Sequence, residues 1–167
     1  MANEMTKKDI EKINEEIEYR KLVTRKNAIE AVKEARAQGD LSENFEYYAA
    51  KRDKNKNESR IRYLERLVKN AKIIEEDRKD DEVGLYSKVE LYIEDDDETM
   101  NIKLVTSIRG DSLKGLISID SPLGKAIKGH KVGDEVYVKV SDKYGYNAVI
   151  KNIEQTDDDG SDEIRSY

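Results

Sequence analysis

A chain of 167 residues in which charged side chains (41%) outnumber hydrophobic ones (37%), with a mean hydropathy of −0.89, cannot furnish one large core. The absence of cysteine excludes disulfides and thiolate-held zinc, and no stretch approaches the roughly 20 apolar residues of a membrane span. The net charge of −6 is unevenly spread: residues 1–76 carry 18 bases and 16 acids, residues 77–167 carry 13 and 21. An extended helical part with a thin apolar seam, followed by a small acidic sheet domain, fits this supply; a soluble, cytoplasmic protein without membrane contact is expected.

From Thr6 to Ala37 the apolar rhythm is helical, through Ile10, Ile13 and Ile17 and then Ala28, Val32 and Ala35. Between these groups the seam passes polar positions, at Lys21 and Thr24. A second run keeps a heptad through Tyr47, Ala50, Lys54, Asn57, Ile61, Leu64, Val68 and Ala71. The turn between the runs is short, so the helices must be antiparallel, as a coiled-coil hairpin. About thirty residues at about 1.5 Å each give an arm of roughly 45 Å. Its middle is basic: Arg20–Arg36 holds six bases against two acids, and Lys51–Lys72 nine against three.

The reversal falls at Gly39-Asp40-Leu41-Ser42-Glu43-Asn44. Glycine closing one helix and an acid opening the next is expected turn chemistry. Asp40 as N-cap with Glu43 three residues later forms a capping box, which ties up orphan N–H groups. The same two carboxylates could also offer oxygen to a hard cation such as Mg²⁺. They cannot complete a shell of about six oxygens, so the remaining ligands would come from water or another molecule. Both readings stay open on spacing alone.

The charged run Glu75–Glu82 ends the helical pattern, and beyond it the period shifts to two. Val89, Leu91 and Ile93 alternate, then Met100, Ile102 and Leu104, with Asp95-Asp96-Asp97-Glu98 as a solvated hairpin turn; that turn lacks the glycine and twelve-residue spacing of a calcium loop. Gly115–Ile119 reads as a short strand and Ser121–Ile127 as an N-capped helix with proline first, stopped by Gly129. Gly133–Val140 and Tyr146–Ile153 complete a mostly antiparallel sheet. The aperiodic, acidic stretch Asp157–Tyr167 is expected to be frayed.

Several motifs carry a resemblance. Glu34-Ala35-Arg36, the turn residues 39–44, Glu46-Tyr47, Ala49-Ala50-Lys51, Arg60-Ile61 and Leu64-Glu65 resemble the hairpin of the bacterial Gre factors. Ile117-Ser118, Ser121-Pro122-Leu123-Gly124-Lys125-Ala126 and Gly133-Asp134-Glu135-Val136 are similar to that family's FKBP-like C-terminal domain. The implied architecture is α+β: a coiled-coil hairpin with an acidic tip (1–76), a linker (77–82), an FKBP-like, mostly antiparallel sheet domain with a short helix (83–156) and an acidic tail (157–167).

The resemblance also implies an activity. Gre factors bind bacterial RNA polymerase at its secondary channel and stimulate the polymerase's own cleavage of backtracked RNA, so the chain would not be an enzyme by itself and would act as a monomer. Asp40 and Glu43 take the tip carboxylate roles, sharing Mg²⁺ with polymerase, and the isolated protein would bind no metal tightly. Lys33, Arg36, Lys51 and Arg52, chosen by charge and position, would lie along the nascent RNA near its 3′ end. A Gre-like inhibitor that plugs the channel is the alternative; a peptidyl-prolyl isomerase would want more aromatics in the sheet domain, and a plain adaptor leaves the tip unexplained. The chain departs from the family at Lys54–Glu58 and Ser59, where an aromatic and a glycine are usual. It departs again at Arg109-Gly110-Asp111, where glutamate and Ala-Asp are usual, and in the added acidic tail.

Overall fold

The computed structural model describes residues 3–39, 44–75 and 78–166. It comprises two compact units, one of residues 9–71 and one of residues 3–8 with 72–166. Sequence composition put the change of structure at Glu75–Glu82; the division between units falls at Ala71/Lys72. The N-terminal residues join the second unit because β1 (Glu4–Met5) pairs in parallel with β2 (Lys72–Ile73), a short ladder that the sequence did not suggest.

In the first unit, α1 (Lys7–Tyr19) passes through a π-helical turn (Arg20–Thr24) into α2 (Arg25–Ala37), and α3 (Phe45–Lys69) returns antiparallel. The expected heptad of α3 holds: Asn57, Ile61 and Leu64 are buried, and Tyr47, Ala50, Lys54, Val68 and Ala71 are partly buried. Leu67 joins them.

The π turn changes the other strand of the seam. The inward positions run Ile13, Ile17, Arg20, Thr24, Ala28, Val32 and Ala35, so Arg20 takes the place expected of Lys21. Lys21 stays outside and meets Glu65 at 2.7 Å. A wide turn leaves a carbonyl poorly covered, and here the Arg20 carbonyl accepts both the Arg25 N–H and the Asn57 side-chain amide at 3.2 Å. Arg20 Nη1 in turn donates to Asn57 Oδ1 at 3.0 Å. A buried amide facing one fixed partner selects one register among several that apolar residues would tolerate.

Ion pairs on both sides reinforce that register. Glu16 receives Arg20 and Arg60, with Nε distances of 3.0 and 3.2 Å, and Arg25 grips Glu58 bidentately at 2.7 and 2.9 Å. Burial alone would raise the Glu16 carboxyl, but hydrogen bonds from Arg60 and Arg20 outweigh it and hold it below the usual carboxylate range.

The second unit is built on a five-stranded sheet of β3 (Ser87–Ile93), β4 (Glu98–Val105), β5 (Leu116–Ser118), β6 (Glu135–Lys139) and β7 (Gly145–Gln155), ordered β5-β4-β3-β7-β6. All pairings are antiparallel except β4 with β5. The expected β3–β4 hairpin and its acidic turn are present, with Asp97 in the left-handed region at φ 48°. The helix α4 (Pro122–Ile127) starts where the sequence placed it, with Ser121 Oγ accepting the Gly124 N–H at 3.0 Å. Gly124 lets α4 lie against the chain at Ser118 and Ile119, where a Cβ would run into the Ser118 carbonyl. The core beneath contains Val89, Leu91, Leu104, Ile127, Val138 and Ile150, and among the described residues its cluster includes none beyond Ile153.

Beyond β7 the expectation of a frayed end is wrong. Residues 156–166 lack regular structure, yet Asp158 and Ile164 are buried. Asp158 meets Arg109 at 2.8 Å and Asp162 meets Lys103 at 2.7 Å. Ion-pair docking needs no periodicity, so it left none to read.

Candidate functional site

The described residues on either side of the turn are Gly39 just beyond α2 and Asn44 just ahead of α3. At the end of α2 the Gln38 N–H bonds the Ala35 carbonyl at 3.3 Å, and Gly39 follows at φ 136°, a conformation that favours glycine. At the start of α3, Asn44 is the N-cap: its Oδ1 accepts the Tyr47 N–H at 3.0 Å. Its Nδ2 also reaches back to the Ala35 carbonyl at 2.5 Å. One side chain thus satisfies an orphan donor of α3 and adds a second donor to the Ala35 carbonyl at the end of α2.

This corrects the capping-box reading. The box required α3 to start after Asp40, with Glu43 inside its first turn; α3 starts at Phe45, capped by Asn44. Asp40 and Glu43 themselves lie outside the described residues. No group of three or more His, Asp or Glu suited to a metal ion occurs among the described residues.

The four basic candidates separate into two groups. Lys51 and Arg52 line a shallow groove of about 440 Å³ on α3, together with Tyr48, Asn55, Lys56 and Ser59. These residues follow helical spacing on a face away from the heptad, a signal present in the sequence but hidden behind the clearer seam pattern. Ser59, one of the family departures, is part of this groove and accepts from Arg62 Nη2 at 3.1 Å. Arg36, on α2, is held otherwise: its guanidinium lies 5.6 Å from the Tyr47 ring centre and donates to the phenol at 3.5 Å. That hydrogen bond lowers the Tyr47 phenol from its ordinary value. Lys33 is exposed on α2 and lines no part of the groove.

Next to the turn, Phe45 is 84% exposed and Tyr48 48% exposed, and the Tyr47 and Tyr48 rings meet edge to face at 5.5 Å. Aromatic and basic side chains interleaved on one helix are suited to a single-stranded polyanion with flat bases. Neither Phe45 nor Tyr48 is expected from the sequence to belong to the site.

Residues 3–73 match the family described as transcription elongation factor, N-terminal, and residues 78–155 the family described as transcription elongation factor, GreA/GreB, C-term. The chain belongs to the GreA/GreB family of transcription elongation factors. It is 46% identical over 144 residues to the transcription elongation factor GreA of Geobacillus kaustophilus, covering 83% of this chain and 91% of that protein. It is 45% identical over 137 residues to the GreA of Thermoanaerobacter pseudethanolicus, covering 81% and 87%. Among solved structures, the transcription factor Gfh1 is similar at 28% identity and a TM-score of 0.46, over 92% of this chain and 97% of that one. The family match in the second half ends at residue 155, immediately before the docked segment. No helix among the described residues is long and apolar enough to cross a membrane.

Proposed function

We propose that this Gre-type elongation factor acts on bacterial RNA polymerase, entering its secondary channel and stimulating the polymerase's hydrolysis of backtracked nascent RNA. The observation that carries this reading is the cap of α3. Asn44 caps that helix directly after the Asp40–Glu43 stretch, and the turn sequence belongs to a chain of the GreA/GreB family, which supports a role for the two carboxylates beyond capping.

Two carboxylates suit a hard dication and provide too few oxygens to hold one alone, so the donor set fits Mg²⁺ only as a site shared with polymerase. Bound there, the metal would polarise a phosphodiester and acidify a water molecule. Asp40 and Glu43 supply anionic oxygens at the tip, and Asn44 fixes the start of the helix that follows them. Lys51 and Arg52 neutralise phosphates of the RNA near its 3′ end, with Lys33 and Arg36 contributing from α2. The chain supplies ligands and positioning, and polymerase supplies the rest of the catalytic centre.

The experiment is addition of the full chain and Mg²⁺ to a halted, backtracked elongation complex with labelled RNA. Shortening of the transcript is expected. Blocked extension without shortening would replace this reading with that of a channel inhibitor.

A further inference from the structure

The docked segment 156–166 makes polar contacts with four cationic side chains of the second unit. Arg78 Nη1 donates to the Thr156 carbonyl at 2.7 Å and Lys8 Nζ to the Asp158 carbonyl at 3.3 Å. Arg109 Nη1 meets Asp158 Oδ1 at 2.8 Å, and Lys103 Nζ meets Asp162 Oδ2 at 2.7 Å. The Tyr86 hydroxyl adds a bond to Asp158 Oδ2 at 3.2 Å, and Lys103 Nζ lies 5.6 Å from the Tyr86 ring centre. These anchors come from the start of α1, the segment before β3, β4 and the 3₁₀ turn Ser107–Arg109. They converge on a segment that, with its neighbours to residue 167, holds five acids and one base.

Three observations distinguish a bound ligand from a piece of the core. The main hydrophobic cluster is formed without the segment, which buries one apolar side chain, Ile164, outside that cluster, so apolar burial is the smaller part of its hold. Its hold is mainly ionic, and charges removed from water need partners of opposite sign. Tyr86, at the centre of the contact, has φ 63°, a conformation rare for a bulky residue and one that marks a constrained site.

We propose that residues 156–166 are a self-supplied acidic ligand masking a peptide-binding site formed by Arg109, Lys103, Arg78, Lys8 and Tyr86, displaceable by an acidic segment of another protein. The occupant is a peptide because the site reads main chain as well as charge. Arg78 and Lys8 take carbonyls, and the Arg165 N–H donates to the Ile108 carbonyl at 2.6 Å. A nucleic acid offers phosphates but no such carbonyl spacing. This site is separate from the tip, and its existence does not depend on transcript cleavage.

The test uses the full chain. A fluorescent peptide with the sequence of residues 154–167 is titrated into the parent and into an Asp158→Asn/Asp162→Asn variant. In the parent the tethered segment competes at an effective concentration on the order of millimolar, so the variant should bind the peptide at least about tenfold more tightly. An unlabelled peptide carrying Asp158→Asn should fail to compete. Equal binding to both proteins, binding to neither, or competition by a single-stranded RNA of equal charge as good as by the peptide would overturn the proposal.

Hydrogen exchange on the parent keeps the test decisive if the variant folds poorly. Amides of 156–166 should exchange faster as salt is raised while those of β3 and β7 keep their rates. Exchange of the segment only together with the sheet would show an integral part of the fold, and the proposal would fail.

Discussion

Arg109 and Asp158 form an ion pair at 2.8 Å in which the side chains are only 1% and 2% exposed. Arg109 stands where the sequence resemblance leads one to expect an acid, and Asp158 lies in the segment beyond the family match. The two departures therefore complement each other. A buried arginine at 109 without Asp158 would be costly, and an acidic segment without Arg109 would lose its most buried anchor.

Acid should loosen this contact. Burial alone would raise the Asp158 carboxyl, yet the Gly160 N–H, the Arg109 guanidinium and the Tyr86 hydroxyl outweigh it and leave the group below its ordinary value. A carboxyl lowered by folding stabilises the protein fully above its unfolded value, about 3.9 for Asp, and loses that contribution as pH falls through the lower folded value. Stability, followed by thermal melting, should decline below about pH 4, and Asp158→Asn should flatten part of that decline. An unchanged acid profile in the variant would show that other carboxylates, such as Glu16, govern it.

Asn57 is the position where the hairpin trades stability for register. Asn57→Ala removes one of the two partners of the Arg20 carbonyl and one partner of its guanidinium, and should cost about 1–3 kcal/mol. Melting several degrees lower is the expected outcome, with faster amide exchange around residues 20–25 than near Ile13 and Leu64. A variant that melts with the parent would mean that the π turn is held by its own helix alone.

What could be read from the sequence was what periodicity encodes. The α3 heptad, the β3–β4 alternation and the Ser121 cap each depend on neighbours a few residues apart, and each stands where expected. The features that escaped are fixed by distant partners. The π turn depends on Asn57, 37 residues away, and the seating of Asp158 on Arg109, 49 residues away. At the turn, Asp40, Ser42 and Asn44 are all good N-caps by type. The choice fell to Asn44, whose amide also reaches Ala35 across the hairpin. The carboxylates read as the tip site lie outside the described residues, while Tyr48, Asn55 and Lys56 share the helical spacing of Lys51 and Arg52 but were masked in the sequence by the clearer seam pattern.

Salt dependence checks the basic groove. Replacing Lys51 and Arg52 by Gln should weaken action on backtracked complexes and lower the slope of log activity against log salt by about one to two, as expected when two phosphate contacts are lost. The α3 fold should be unaffected, since both side chains are exposed and off the seam. A slope equal to that of the parent would move the RNA to another face of the hairpin.

The tip and its cap can be separated by three substitutions. Asn44→Ala removes the cap of α3 and the bond to Ala35, so it should cost about 1 kcal/mol and lower the melting temperature of the hairpin. Asp40→Asn and Glu43→Gln leave that cap in place and should melt within a few degrees of the parent. Each removes an anionic oxygen on which a hard dication depends. Both acid variants should therefore still bind polymerase yet lose most cleavage stimulation, with partial recovery as Mg²⁺ is raised. Asn44→Ala should show the converse, a loss of stability with stimulation retained well below its melting temperature. If Asp40→Asn and Glu43→Gln instead stimulate cleavage as well as the parent, the carboxylates do not hold the metal and the proposed role of the tip is wrong.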